Sequence, residues 1–275
     1  MQYQDLFLQD YVYRFLKKIN LNYFFRDKRI LFLYLDSTID YAKFFLKFDA
    51  KWVYFANPLF SFQKLENFDI TKLNFFEISK IPDNSVDMVI GLEILEHIRD
   101  FGNFVFHLNR ITTKDAHIEL QGSPMWTSPN GHHIWLPKYK FNEISNPFKP
   151  WEHLIYNDKY EIKNALLSKG YDENDSKEIS DWIYNDNEIN RISPNIVIKY
   201  FINNPSETEY KNKFIDRMPV LYKQCMENGC EYKITHYLCD ETKNDYYEIA
   251  KQKFSETELI TSALNISINK NVYFE

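Results

Sequence analysis

Four side chains of this sequence have the types and spacing to do chemistry together. Glu93, Glu96 and His97 lie in the run L-E-I-L-E-H-I from Leu92 to Ile98. If that run is helical, positions i, i+3 and i+4 share one face. Carboxylate oxygens and an imidazole on one face can bind a divalent metal such as Mg²⁺ or Mn²⁺. The fourth group is a histidine of the segment W-T-S-P-N-G-H-H-I-W, from Trp126 to Trp135. Adjacent residues of an extended chain point opposite ways, so either His132 or His133 faces the site. An imidazole there can complete a metal site as a ligand, or act alone as a general base. The alternative is that the glutamates are solvated or cap a loop, while the histidines pack. Cys225, Cys230, Cys239 and His236 also cluster, but without paired C-x2-C spacing they read as free thiols of a reducing compartment.

The elements that must position these groups are legible upstream. Pro82-Asp83-Asn84-Ser85 is a turn cluster, and Asp87–Gly91 is a short apolar run suited to a strand buried on both faces. Strands are expected near 30–35, 51–56, 86–91 and 117–121, with a short one near 73–78. Strands alternating with helical segments predict an α/β fold: a Rossmann-like, doubly wound, mostly parallel sheet with helical C-terminal additions. Ligands of such sheets lie at the carboxyl ends of the strands. Leu8, Val12, Phe15 and Ile19 predict an amphipathic N-terminal helix. Beyond Gly122, five prolines from Pro124 to Pro150 break a segment that reads as a substrate-covering insert. Further helices are expected at Lys159–Leu167, Asn195–Ile202 and from the Ser255 capping box to about Leu264, with a closing strand over Asn265–Phe274. The division expected is a core with its N-terminal helix over 1–150 and an extension over 151–275 that packs on the core and covers the site.

The run P-D-N-S-V-D-M-V-I-G-L-E-I-L-E-H-I resembles the central segment of class I S-adenosylmethionine-dependent methyltransferases of the type 11 kind. Phe101–Ile111 and H-I-E-L-Q-G-S-P (His117 to Pro124) resemble the helix and strand that follow it there. The resemblance spans about Arg29 to Pro137 and implies S-adenosylmethionine as cofactor. Carried onto this sequence, it puts Asp36 after the first strand, Asn57 after the second, Glu77 near the adenine and Leu92 after the central strand. Three departures stand out. No glycine occurs before Gly91, so the Gly-rich cofactor turn is D-S-T-I-D. Asn57 replaces the acidic residue that holds the ribose, and Lys114-Asp115-Ala116 replaces a Gly-Gly turn. The metal motif alone is similar to that of metal-dependent small-RNA 2'-O-methyltransferases, matching Glu93, Glu96, His97 and His132 or His133. The G-H-H-I-W element followed by Pro150-Trp151-Glu152-His153-Leu154 resembles methyltransferases of polysaccharide and sugar modification. Trp126, Trp135 and Trp151 suit stacking on a sugar face or forming a lid, and equally suit core packing.

Composition narrows the partners. A net charge of −6 opposes a broad nucleic-acid surface. No apolar run approaches the roughly 18 residues of a membrane span, and the N-terminus lacks a signal-peptide layout, so a cytoplasmic protein is expected. The function expected is methyl transfer to an oxygen of a small sugar-containing or phosphorylated metabolite, with or without metal assistance. Two rivals remain open: a methyltransferase-like scaffold that no longer binds the cofactor, and a metal-dependent transferase of another kind.

Overall fold

The computed structural model describes residues 25–35, 39–58, 60–65, 69–184, 189–201, 231–239 and 241–270. The expected N-terminal helix, Asp36, Cys225 and Cys230 lie outside the described residues.

Eight strands form one sheet in the order β3-β4-β2-β1-β5-β6-β8-β7. They are β1 Arg29–Leu33, β2 Trp52–Ala56, β3 Gln63–Leu65, β4 Ile70–Leu73, β5 Val86–Gly91, β6 Thr112–Gly122, β7 Glu231–Leu238 and β8 Thr261–Asn269. β4, β2, β1, β5 and β6 are parallel neighbours. β3 pairs antiparallel on one edge, and β8 pairs antiparallel with both β6 and β7. The fold is therefore the expected Rossmann-like sheet. It is doubly wound about β1 and β5, where the order reverses. The last two strands complete this same sheet, so the residues on either side of 150 share one layer.

Alternation within β1 splits the core into two faces. Ile30 and Phe32 pack with Tyr41, Ala42 and Phe45 of helix α1 (Asp40–Lys47) in a cluster rich in aromatic rings. Leu31 and Leu33 face the other way, toward Phe104, Val105 and Leu108 of helix α2 (Phe101–Ile111) and Val197 and Phe201 of helix α5 (Pro194–Phe201). A third cluster forms the heart of the proline-broken segment and the helices after it, α3 (Lys159–Ser168) and α4 (Glu173–Tyr184). Helices α6 (Asp245–Ala250) and α7 (Glu256–Ile260) complete it.

Start signals held, and stops moved. Asp158 accepts from the amides of Tyr160 and Glu161 at the head of α3, and the Ser255–Glu258 capping box opens α7. That helix ends at Ile260 rather than Leu264, because the chain enters β8 and pairs with two neighbours. The strand expected near 73–78 is instead β4, ending at Leu73, followed by a 3-10 helix over Phe75–Lys80.

The expected helix over Leu92–His97 is a correction. Leu92 N–H donates to the Leu33 carbonyl and Ile94 N–H to that of Gln121, so the backbone stays bonded to β1 and β6. Glu93 between them has a left-handed backbone, φ 51°. Only Leu95–His97 form a single 3-10 turn. Three long-range bonds close it: Asn190 N–H donates to the Glu96 carbonyl at 2.8 Å, and its side-chain amide to those of Leu95 and Ile98 at 2.5 and 2.9 Å. Among the described residues no helix is long and apolar enough to cross a membrane.

Candidate active site

The strand order reverses between β1 and β5, and a crevice opens there at the strands' carboxyl ends. A groove of about 510 Å³, its open mouth included, occupies this place. Its walls are Leu33 from the end of β1, Phe75 and Ile78 from the 3-10 helix, and Ile94, His97 and Ile98 from the turn after β5. Arg99, Asp100 and Asn103 stand at the head of α2, where Asp100 Oδ1 accepts from the Asn103 amide at 2.9 Å and caps the helix. The groove is thus largely apolar, with the imidazoles of His97 and His107, a guanidinium and a carboxylate at its polar side.

His97 links this groove to the insert. Its ring stacks on His133 with centroids 5.5 Å apart and planes 14° from parallel. His133 is held by its surroundings on several sides. Phe141 meets its ring edge-on at 5.5 Å, and Trp182 Nε1 donates to its carbonyl at 2.9 Å. Burial, reinforced by the neighbouring His97, pushes His133 down to about 3, so it stays neutral at physiological pH. Like Glu93, it has a left-handed backbone, φ 52°. Such backbone is costly for a non-glycine residue and gathers at functional sites.

The remaining candidates separate. Glu96 is 1% exposed, and its Oε1 accepts from the Ser123 amide at 2.9 Å. The same oxygen is 3.9 Å from His97 Nε2, beyond hydrogen-bond reach. Burial raises the Glu96 carboxyl well above the usual range, and raises that of half-buried Glu93. His132 is fully buried in the third cluster, against His153 at 5.1 Å and Phe148 at 5.3 Å, and its Nδ1 accepts from the Ile134 amide. Of the His132–His133 pair, only His133 faces His97.

Among the described residues, no group of three or more His, Cys, Asp or Glu side chains could hold a metal ion. The expected set of Glu93, Glu96, His97 and His132 does not fit a metal. Loss of the helix removes the shared face, and burial sends His132 into a different core.

Of the expected cofactor residues, Asn57, Glu77 and Leu92 have structural tasks. Asn57 is fully buried, and its amide donates to the carbonyls of Tyr34 and Leu35 at 3.0 and 2.6 Å, tethering the chain that leaves β1. Glu77 accepts from the Asn74 amide and from Lys80, capping its own 3-10 helix, and both bonds hold its carboxyl below the usual range. Leu92 is core. Trp126 and Trp151 are likewise core, whereas Trp135 is 52% exposed.

Local sequence gave no sign of Ser123 or Asn190, which act through partners tens of residues away. Glycine allows two close approaches beside them. A Cβ on Gly122 would lie 2.7 Å from Glu96 Oε2, and one on Gly131 only 2.1 Å from the Trp126 carbonyl.

His153 carries a testable pH dependence. It is fully buried and bonded to the Trp126 carbonyl at 2.8 Å. Burial, opposed by that bond, holds its pKa down to about 4, against about 6.5 in the unfolded chain. The unfolded chain therefore binds the extra proton first. Stability is full above about pH 6.5 and falls toward pH 4, by up to about 3 kcal/mol from this group. Urea unfolding across that range should show a shallower decline in His153→Gln than in the wild type. Equal slopes would mean that His153 does not contribute.

No family model matches the chain, and no curated protein matches it in sequence. Many solved structures that it resembles are S-adenosylmethionine-dependent methyltransferases. One, from Archaeoglobus fulgidus, is 11% identical over 98% of this chain and 100% of that one, with a TM-score of 0.40. Another, from Mesorhizobium loti, is 12% identical over 89% and 92%, with a TM-score of 0.38. Likenesses this distant carry no activity across, and the fold stands on the strand order. That order, wound about β1 and β5, is the mostly parallel Rossmann-like architecture of the methyltransferases that the sequence resembles.

Proposed function

We propose that this protein is an S-adenosylmethionine-dependent methyltransferase acting on an oxygen of a sugar-containing or phosphorylated small molecule, in sugar or polysaccharide modification in the cytoplasm. The observation that carries this reading is the groove at the β1–β5 switch point with His97 in its wall. A flat base suits the apolar surfaces of Leu33, Phe75, Ile78 and Ile94. Asp100, at the polar side, offers a carboxylate for hydroxyls in place of the occupied Asn57 amide. When bound, the cofactor supplies an electrophilic methyl group on a sulfonium. With the cofactor bound, His97 in the groove wall would take the acceptor hydroxyl's proton as the methyl group is transferred. His133, neutral and stacked behind it, leaves room for that charge. Most of the acceleration comes from alignment. No metal-assisted step belongs to this proposal, because the candidate ligands do not converge.

The sugar-containing acceptor is supported by the exposed ring of Trp135, 6.1 Å from Phe141, which in turn meets His133. Calorimetric titration with S-adenosylhomocysteine, with and without Mn²⁺, tests the reading. Binding on the order of micromolar without metal is expected. No binding under either condition would overturn it and favour the scaffold alternative.

A further inference from the structure

Two walls of the groove are joined by one side chain. Arg110, near the end of α2, donates from Nη2 to the carbonyls of Ile78 and Ser79 at 3.4 and 3.0 Å, and its Nη1 pairs with Asp83. Ile78 and Ser79 belong to the 3-10 helix that gives Phe75 and Ile78 to the groove, whereas α2 gives Phe104 and His107. The remaining bond of the guanidinium goes to His107 itself. Arg110 Nε donates to His107 Nδ1 at 3.3 Å, one turn back on the same helix face. Arginine is always protonated and has no acceptor, so the nitrogen that faces it is the bare one. Nε2 then carries the proton of the neutral ring. Burial and the neighbouring guanidinium both lower the His107 pKa, so the ring stays neutral at physiological pH. His107 is thus an uncharged N–H donor on an otherwise apolar wall. Such a donor discriminates sharply, because a ligand without a matching acceptor leaves it unpaired.

We propose that His107 is a specificity-determining residue of the groove: Arg110 fixes its ring so that Nε2–H donates to an acceptor nitrogen on the edge of a flat heterocyclic base. The Arg110–His107 bond belongs to the free protein. That the base is the cofactor's rests on the methyltransferase reading.

Imidazole nitrogen NMR on the whole, ligand-free chain tests the first part. His107 Nδ1 should be unprotonated and hydrogen-bonded, and Arg110→Met should shift its resonance toward that of a free nitrogen. A protonated Nδ1 in the wild type overturns the inference, and so does a resonance that Arg110→Met leaves in place. Calorimetry tests the second part, with S-adenosylhomocysteine and three analogues that each carry C–H in place of one acceptor nitrogen of the base ring. The wild type should bind one of the three about tenfold more weakly than the parent, the loss expected of a single hydrogen bond. His107→Phe keeps a ring at this position and should lose that preference. Equal affinities for all four ligands in the wild type overturn the inference, which needs no variant to fold. A preference that survives in His107→Phe overturns it as well. Absence of all binding overturns both the methyltransferase reading and the role given to His107. A base preference lost without loss of binding overturns the role of His107 alone, so the two failures are distinguishable.

Discussion

Replacing His97 with alanine is expected to lower methyl transfer by about 10²–10⁴-fold, the usual contribution of a positioned general base. The ring is one of two imidazoles in the groove wall, with His107, and it is the one stacked on His133 of the insert. The loss should appear in kcat rather than in cofactor affinity, because the apolar walls that would hold the base remain. The urea midpoint should hardly move, since the turn around His97 is fixed by bonds from the Asn190 backbone and side chain to its carbonyls. His132→Ala is the matching control. That ring is buried in the third cluster, so its removal should lower stability and leave the rate per folded molecule close to wild type. Full activity in His97→Ala would sink the base assignment. A rate loss in His132→Ala without a stability loss would show that the wrong histidine has been chosen.

Trp151→Ala should produce the largest loss of stability, about 3–5 kcal/mol. Trp151 is fully buried, and its ring meets Tyr247 edge-on at 5.0 Å. Its Nε1 donates to the Leu259 carbonyl at 2.8 Å, and its backbone N–H to that of Pro129 at 2.9 Å. Truncation removes the ring's contacts and leaves the Leu259 carbonyl without this donor. The loss would be a large share of the 5–15 kcal/mol that typically stabilises a folded chain. It falls on the cluster that carries the His132–His133 segment, so amide exchange should accelerate there before it does in β1 and β5. Urea unfolding gives the magnitude. A change below about 1 kcal/mol would mean that the insert core can close over the gap and that Trp151 is not its anchor.

How much of this was readable in the sequence varies element by element. β1, β2 and β5 lie close to where their apolar runs predicted, because strands buried on both faces leave a local hydrophobic signature. The start of α7 was equally plain, since the Ser255 capping side chain sits within three residues of the amide it satisfies, whereas the Asp158 cap that opens α3 emerged only in the structure. β3 was missed: its short Q-K-L run carries no such signature and exists by pairing with β4. The helix over Leu92–His97 was misread because its pattern of types is helical, while the backbone amides of Leu92 and Ile94 are taken by strands 59 and 27 residues away.

The site divides in the same way. By itself the sequence determined the α/β alternation, the placing of Glu93, Glu96 and His97 at the end of the central strand, and the return of a histidine pair over the same edge. Those follow from local patterning and from the rule that sheet sites lie at strand ends. Only the tertiary structure decided which groups meet. It buried His132, turned His133 onto His97, set Asn57 to tether the chain leaving β1 and Glu77 to cap its 3-10 helix, and spent the Glu96 carboxyl on the Ser123 peptide instead of a metal. Each of those outcomes depends on burial and on hydrogen bonds between residues far apart in the chain, and neither quantity is written in local spacing.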